Sequence, residues 1–444
     1  MKNLIKKFIP KFVLDFYHKA LAMLASIYYG QPSNKMIIIG VTGTKGKSTT
    51  CNILWHLIER AGYKCGMTST ANFRIHKKEW VNKYKMTMLG RFKLQKLLKD
   101  MVSAGCEYAI VETSSEGIKQ YRHVGINYDY AFFLNLTPEH IESHGGFENY
   151  KRAKGELFKT LRQKNKKTKK QKIINNQEIK KIIIANKDDK YTDYFLGFEA
   201  DKKITYGLKN EADILASDLQ ARREGIFFKI DNINFSLKQI GDFNIYNVLP
   251  AIALGKYLNL SLDKISKYLF DFSGMPGRME VIDEGQNFKV IVDYAYEPKC
   301  LEEVLKNINN LFIKEELKNN IIAVSGPTGG GRDSWRRPVM GEILAKYCKY
   351  SVITTDDPYD DNPSEIANQM IKGLEKKDKI EGLDYFKIID RREAIKKALL
   401  LAKPNDVVLI AGKGSDPVMA VKNGKSIPWD DRKVTREILK EVKK

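Results

Sequence analysis

From residue 36 onward, runs of consecutive apolar residues alternate with stretches in which apolar positions recur every three or four. "KMIIIGV" (35–41), "YAIVETS" (108–114) and "YAFFLNLT" (130–137) are of the first kind, each ending in small or polar residues. An unbroken apolar run suits a strand covered on both faces, and such strands alternating with helices predict a parallel sheet. Ligands then belong at the strands' C-terminal ends. Helical spacing follows the first run as far as Glu59, covers Phe92 to Ser103, and returns in "GDFNIYNVLPAIALGKYL" (241–258).

Glycine and proline cluster in "FSGMPGRMEVI" (272–282), which reads as a domain joint. Beyond it, "FKVIVDYAY", "IIAVSGP", "YSVITTDDP" and "DVVLIAGKG" are four more strand-to-loop units. The fold class predicted is α/β: a central P-loop-type parallel-sheet domain over 36–273, then a second Rossmann-like α/β domain over 274–444. The stretch "RQKNKKTKKQK" (162–172) reads as a solvated surface insertion.

Residues 1–35 form a separate basic amphipathic segment. Phe12, Leu14, Tyr17, Leu21, Leu24 and Ile27 line one face of a predicted helix, while Asp15, His18 and Lys19 interrupt it too often for a membrane span. Packing of that face on the first domain is the leading expectation, with contact at a membrane surface as its alternative. No small-residue cleavage site follows it.

Bulk composition changes this picture little. The chain has 444 residues, 43% of them hydrophobic, enough for globular domains. Its formal charge of +22 raises the idea of a nucleic-acid-dependent ATPase, but the lysines are spread along the chain and no nucleic-acid recognition module is present. No nucleic-acid partner is therefore expected. Five scattered cysteines without a C-x-x-C pair argue against a disulfide framework and suit a cytoplasmic protein.

The most informative chemistry is "GVTGTKGKSTT" (40–50). A strict phosphate loop, G-x-x-x-x-G-K-[ST], would have glycine at 41; this chain has Val41, flanked by Gly40 and Gly43. The physics survives the displacement. A strand delivers the chain to a turn where Gly43, Thr44 and Gly46 let backbone N–H groups face an anion. A helix then starts near Lys47, which would reach the β/γ-phosphates, with Ser48 and Thr49 in its first turn and the Ser48 hydroxyl on Mg²⁺.

The loop resembles the shortened ATP loop of the Mur ligase family, ATP-dependent amide-forming enzymes whose relatives include folylpolyglutamate and cyanophycin synthetases. "VETSSEGIKQYRHVGINYDYAFFLNLTPEHIESHGGFENYKRAKGELF" (111–158), then "GDFNIYNVLPAIA", "MPGRMEVI", "VIVDYAY", "RRPVMGEI", "AGKGSD" and "IPWDDRKVTREIL", follow the muramyl-tripeptide branch in order. The resemblance implies transfer of the γ-phosphate of ATP to a substrate carboxylate, attack by an amine on the acyl phosphate, and a part in peptidoglycan precursor synthesis. It implies two Mg²⁺ ions, one at Ser48 and Glu112 and one aided by His140. Lys154 matches the lysine that CO₂ carbamylates in this family, and a monomer acting on small molecules is expected.

The resemblance further places Asn244 and Asn247 near adenine, and has Arg278 and Asp293 reach the nucleotide. Thr87, Ser114, Ser115 and Arg122 would hold the D-glutamate end of the acceptor. Glu116 adds a charge not usual there, and Tyr296 replaces a histidine. About a hundred N-terminal residues that grip UDP elsewhere have no counterpart in the 35 residues before the loop, so the acceptor's carrier is open.

On the amine side, Arg332 would anchor an α-carboxylate, and Asp356, Asp357 and Asp416 stand where diaminopimelate-adding enzymes read D-N-P-R and G-K-G-H-E. Tyr359 replaces the arginine of the first motif. With Asp357, Asp360 and Asp361 nearby, the sequence favours a lysine- or ornithine-like amine over diaminopimelate.

Overall fold

A computed structural model describes residues 10–84, 86–138, 144–162, 173–174, 177–313, 315–331 and 334–442. Its contacts divide the chain into two compact units: one holds most of the chain up to Phe272, the other Ser273–Lys444 together with Ala221–Gly225 and Lys238–Asp242. Most of the lysine-rich stretch read as an insertion, residues 163–172, lies outside the described residues.

The first unit is built on one large sheet. Its strands are β1 (Ile37–Thr42), β2 (Cys65–Thr68), β3 (Asn72–Ile75), β4 (Lys78–Val81), β5 (Tyr108–Glu112), β6 (Tyr130–Phe133), β7 (Ile182–Asn186), β8 (Lys202–Gly207), β9 (Ile214–Arg222), β10 (Gly225–Ile230) and β11 (Ile233–Leu237). The spatial order is β11-β10-β9-β8-β7-β6-β1-β5-β2-β3-β4. From β2 to β9 all pairings are parallel; β2–β3, β3–β4 and β10–β11 are antiparallel.

β1 shows why its sequence is apolar without alternation. Ile37, Ile39 and Val41 join one core cluster with Leu54, Leu57 and Val248, while Met36 and Ile38 join a second with Leu94, Leu98 and Leu157. Helices α1 (Lys11–Tyr28), α2 (Lys47–Arg60), α3 (Arg91–Ser103), α4 (Ser115–Lys119), α5 (Phe147–Lys159), α6 (Thr192–Leu196), α7 (Asn244–Tyr257) and α8 (Leu262–Phe270) supply the layers. Both faces are covered, so every β1 side chain is buried.

Gly40 answers the question of the displaced glycine. A Cβ there would stand 2.6 Å from Leu157 and 2.9 Å from Tyr128, so the glycine lets α5 and Tyr128 lie directly on the strand. Its use is packing that brings α5 close to the loop.

The N-terminal helix forms as predicted, but the face it turns inward is not the predicted one. Ala22, Ala25 and Ser26 are buried, whereas Phe12, Tyr17, Leu24 and Ile27 are exposed; Leu14 and Leu21 are half-buried. The small residues win because Ser26 Oγ donates to the Gly125 carbonyl at 2.8 Å, and Gly125 comes so close that a Cβ on it would lie 2.8 Å from Ser26 Cβ. Among the described residues, no helix is long and apolar enough to cross a membrane.

The second unit repeats the α/β logic. Its strands β12 (Glu280–Ile282), β13 (Lys289–Asp293), β14 (Ile321–Ser325), β15 (Tyr350–Ile353), β16 (Tyr385–Lys387) and β17 (Val407–Ala411) lie in the order β12-β13-β17-β14-β15-β16. Within that sheet β12–β13 is antiparallel and the other described pairs are parallel; a separate antiparallel pair, β18 (Val418–Val421) with β19 (Lys425–Pro428), follows β17. Helices α9 (Pro298–Phe312), α10 (Arg336–Tyr347), α11 (Pro363–Glu375), α12 (Arg391–Leu401) and α13 (Asp431–Val442) complete it.

Candidate functional site

The loop after β1 is shaped by three devices. Gly46 is the N-cap of α2 with φ of 80°, a left-handed turn that points the first-turn N–H groups of Lys47, Ser48 and Thr49 out of the helix end, where they have no intrahelical acceptor. Asn135, just beyond β6, clamps the loop: its Oδ1 accepts from the N–H groups of Thr44 (3.0 Å) and Lys45 (2.9 Å), and its Nδ2 donates to the Lys45 carbonyl (3.2 Å). Asn247 on α7 closes the third side, its Oδ1 only 2.1 Å from where a Cβ on Gly46 would stand. Asn244 holds Asn247 in place, accepting from its Nδ2 at 2.8 Å.

Two cations converge on the same turn. Lys47 Nζ donates to the carbonyls of Gly43 (3.0 Å) and Thr44 (2.8 Å). Lys154 Nζ donates to the Gly43 carbonyl at 2.7 Å, and its side chain is almost wholly buried. Lys154 sits on the buried stripe of α5 with Tyr150, Leu157 and Phe158, and lies over the Tyr150 ring at 4.6 Å. Tyr150 in turn holds the loop, its hydroxyl 3.1 Å from Thr44 Oγ1.

Opposite these cations is a carboxylate network. Ser48 Oγ donates to Glu112 Oε2 at 2.7 Å. Thr70 adds its N–H to Oε2 (2.7 Å) and its hydroxyl to Oε1 (2.9 Å), and that hydroxyl lies 2.9 Å from Thr87 Oγ1. Glu112 ends β5 beside β1, which is why a residue 64 positions from Ser48 meets it. A carboxylate and a hydroxyl are hard oxygen donors of the kind Mg²⁺ takes, so the pair fits that ion.

Thr87 ties this network to a second cluster. Arg122 donates to the Met88 carbonyl and, at 2.5 Å, to Gln120 Oε1. Burial pulls its pKa down and the Glu116 charge pulls it back up. Ser114 caps α4 by accepting from Gly117 N–H at 3.1 Å, and Ser115 is buried at that helix's first position. Thr87, Ser114, Ser115 and Arg122 therefore all lie in the first unit. His144 meets the Tyr150 ring edge-on at 5.3 Å. His140 lies outside the described residues.

In the second unit, Asp293 ends β13 and accepts from Met279 N–H at 2.7 Å. Burial pushes its carboxyl up, against the lowering pull of Arg278, whose guanidinium lies 4.4 Å over the Tyr294 ring. Tyr296 stacks edge-on against Tyr294 at 5.0 Å.

Asp356, Asp357 and Asp416 come together around Lys413, a cation to which the sequence reading gave no role. Lys413 Nζ donates to Asp357 Oδ1 and Asp416 Oδ2, both at 2.9 Å, with Asp356 Oδ1 at 3.8 Å. Burial pushes the Asp356 carboxyl up, while Lys413 and Arg391 draw it down. Arg391 is itself buried in a two-pronged pair with Asp431 (2.8 and 2.7 Å), which also accepts from Trp429 Nε1. Of the other acids, Asp361 faces Arg337 at 3.5 Å and Asp360 accepts from Asn423 N–H. Arg332 lies outside the described residues.

Known proteins match this chain over most of its length. Residues 41–168 and 163–255 match the Mur ligase middle domain, and 277–414 match the Mur ligase glutamate ligase domain. The UDP-N-acetylmuramoyl-L-alanyl-D-glutamate–2,6-diaminopimelate ligase of Bacillus cereus is 35% identical over 97% of this chain and 84% of its own. A solved structure of a ligase of that name is 29% identical, with a TM-score of 0.63 over 92% of this chain and 79% of that one. Mycobacterium tuberculosis folylpolyglutamate synthase, solved with ADP and AMPPCP, shares the fold alone: 13% identity and a TM-score of 0.64 over 90% of this chain and 94% of that one. On its sequence, its fold and its relatives, the chain belongs to the Mur ligase family, as an acid–amino-acid ligase of the muramyl-tripeptide type.

Proposed function

We propose that the protein uses ATP to activate a carboxylate of a muramyl-dipeptide acceptor and joins it to an amino acid. The observation that carries this is the convergence of Gly46, Lys47, Lys154 and the Ser48–Glu112–Thr70 network on one turn at the end of β1. Such a turn receives phosphate, and the Ser48 hydroxyl and Glu112 carboxylate beside it are the oxygen donors that Mg²⁺ would take.

In this account a carboxylate oxygen of the acceptor attacks the γ-phosphorus, the bond to the β-γ bridging oxygen breaks, and ADP leaves. The amine nitrogen then attacks the acyl carbon, loses a proton, and expels phosphate carrying that carboxylate oxygen. Lys47 turns from the Gly43 and Thr44 carbonyls to the phosphates, and the α2 N–H groups hold the transferred oxygens. Ser48 and Glu112 would hold Mg²⁺, which neutralises developing phosphoryl charge. His140 is the remaining metal candidate. Lys154, as a neutral amine, would add to CO₂ and lose a proton, giving a buried carboxylate for a second Mg²⁺. Asn244 and Asn247 are the adenine candidates, and Arg278 and Asp293 those of the second unit for nucleotide contact.

Thr87, Ser114, Ser115 and Arg122 are assigned to the acceptor's acid, and Arg332, Asp356, Asp357 and Asp416 to the amine. Asp356, Asp357 and Asp416 gather acidic side chains at one place in the second unit, which suits a cationic side chain better than a second carboxylate. We therefore place a lysine-like diamino acid ahead of the diaminopimelate in the relatives' names. The test is ADP release with UDP-N-acetylmuramoyl-L-alanyl-D-glutamate and a panel of lysine, ornithine, diaminopimelate and alanine, products identified by mass. Lysine or ornithine as best amine supports the assignment; diaminopimelate as best amine overturns it. No ADP with any pair overturns activity on a UDP-linked acceptor.

A further inference from the structure

Helix α1 is amphipathic in reverse. Successive residues are about 100° apart around a helix, which gathers Phe12, Val13, Phe16, Tyr17, Met23, Leu24, Ile27 and Tyr28 on its outward half. All of them are exposed, Phe12 and Phe16 at 74% and Tyr28 at 76%. The inward half carries the small and polar residues: Ala22, Ala25 and Ser26 are buried, and Lys19 lies over the Tyr121 ring at 5.0 Å. The apolar surface continues onto α3, where Phe92, 43% exposed, meets the Tyr28 ring at 6.3 Å. A continuous aromatic and aliphatic strip of this kind marks an interaction surface.

Charge selects the occupant. Residues 1–19 contain Lys2, Lys6, Lys7, Lys11 and Lys19 against the single acid Asp15, within a chain of net charge +22. An anionic bilayer answers both the charge and the apolar strip. The helix has 18 residues and is not apolar enough to span, so it would lie in the interface.

We propose that α1 docks the protein on an anionic phospholipid surface, with Phe12, Phe16, Leu24 and Ile27 entering the acyl boundary and the lysine-rich composition of residues 1–11 selecting anionic lipid. The inference is independent of the catalytic assignment. Co-sedimentation of the full chain tests it, with phosphatidylcholine vesicles containing phosphatidylglycerol against phosphatidylcholine alone. The wild type is expected to partition to the anionic vesicles, and F16D/L24D/I27D to lose about tenfold in partition while keeping its melting temperature and ligase rate. K2E/K6E/K7E/K11E, which leaves the apolar face intact, should lose binding as well, and added salt should mimic it. Wild-type protein that stays with the supernatant, or triple and wild-type proteins that sediment alike, would overturn the proposal. So would light scattering in which the wild type is a dimer and the triple variant a monomer, since the strip then belongs to a second copy.

Discussion

Lys413→Met is the most searching perturbation of the second unit. The ammonium is 1% exposed and holds two carboxylates at 2.9 Å and a third at 3.8 Å. At an effective dielectric constant of about 20, each 2.9 Å pair carries roughly 6 kcal/mol of gross attraction. Most of that offsets the cost of taking the charges out of water. Removing only the cation loses the attraction and keeps the buried carboxylates, so the net loss should be about 3–5 kcal/mol. For a unit of this size that is a fall of roughly 6–20 °C in its melting transition. Calorimetry and urea unfolding of Lys413→Met, Asp357→Asn and the double variant form a cycle, since the amide oxygen introduced by Asp357→Asn can still accept from Ala420 N–H. Coupling above about 1.5 kcal/mol is expected. A loss below about 1 kcal/mol, with additive single effects, would refute a charge hub at Lys413.

Three further outcomes follow from other parts of the molecule. Burial lowers the His123 pKa to about 4, so the folded state resists the proton that an unfolded histidine takes up near pH 6.5. His123 should therefore contribute nothing to the pH dependence above pH 6.5 and a fall of about 1.4 kcal/mol per unit down to pH 4; His123→Gln removes that contribution in urea unfolding at stepped pH and leaves that of His56, whose pKa burial also lowers. Gly46→Ala must relieve a 2.1 Å approach to Asn247 Oδ1 and a φ of 80°; calorimetric titration should show ATP affinity reduced at least about tenfold. Lys154→Ala should abolish ADP release, with partial rescue by a short-chain carboxylic acid, and a fully active variant defeats the carbamate assignment.

The alternation of sheet and helix was legible because central strands such as β1, β5, β6 and β7 are buried throughout, leaving runs such as 37–41 wholly apolar. The loop chemistry was legible because Gly46, Lys47 and Ser48 are consecutive. Asn135 and Thr70 were not, since they meet the loop and Glu112 only through strand pairings that close 90- and 42-residue separations. Lys154 was recognised through resemblance alone, although a lysine sharing the helical stripe of Tyr150, Leu157 and Phe158 is a signal that spacing could have given. Lys413 was hidden inside "GKGSD", where it passed as part of a motif rather than as the counter-charge to the aspartates. The sidedness of α1 was misread because apolar residues were expected inward; close approach to Gly125 required small ones instead.

The central claim is that phosphate passes through the acceptor's own carboxylate, and isotope transfer tests it most directly. The acceptor, labelled with ¹⁸O in its reacting carboxylate, is turned over with ATP and the best amine, and the released phosphate is analysed by mass. The account predicts one ¹⁸O in each phosphate released with amide product. Amide formation with unlabelled phosphate would contradict it.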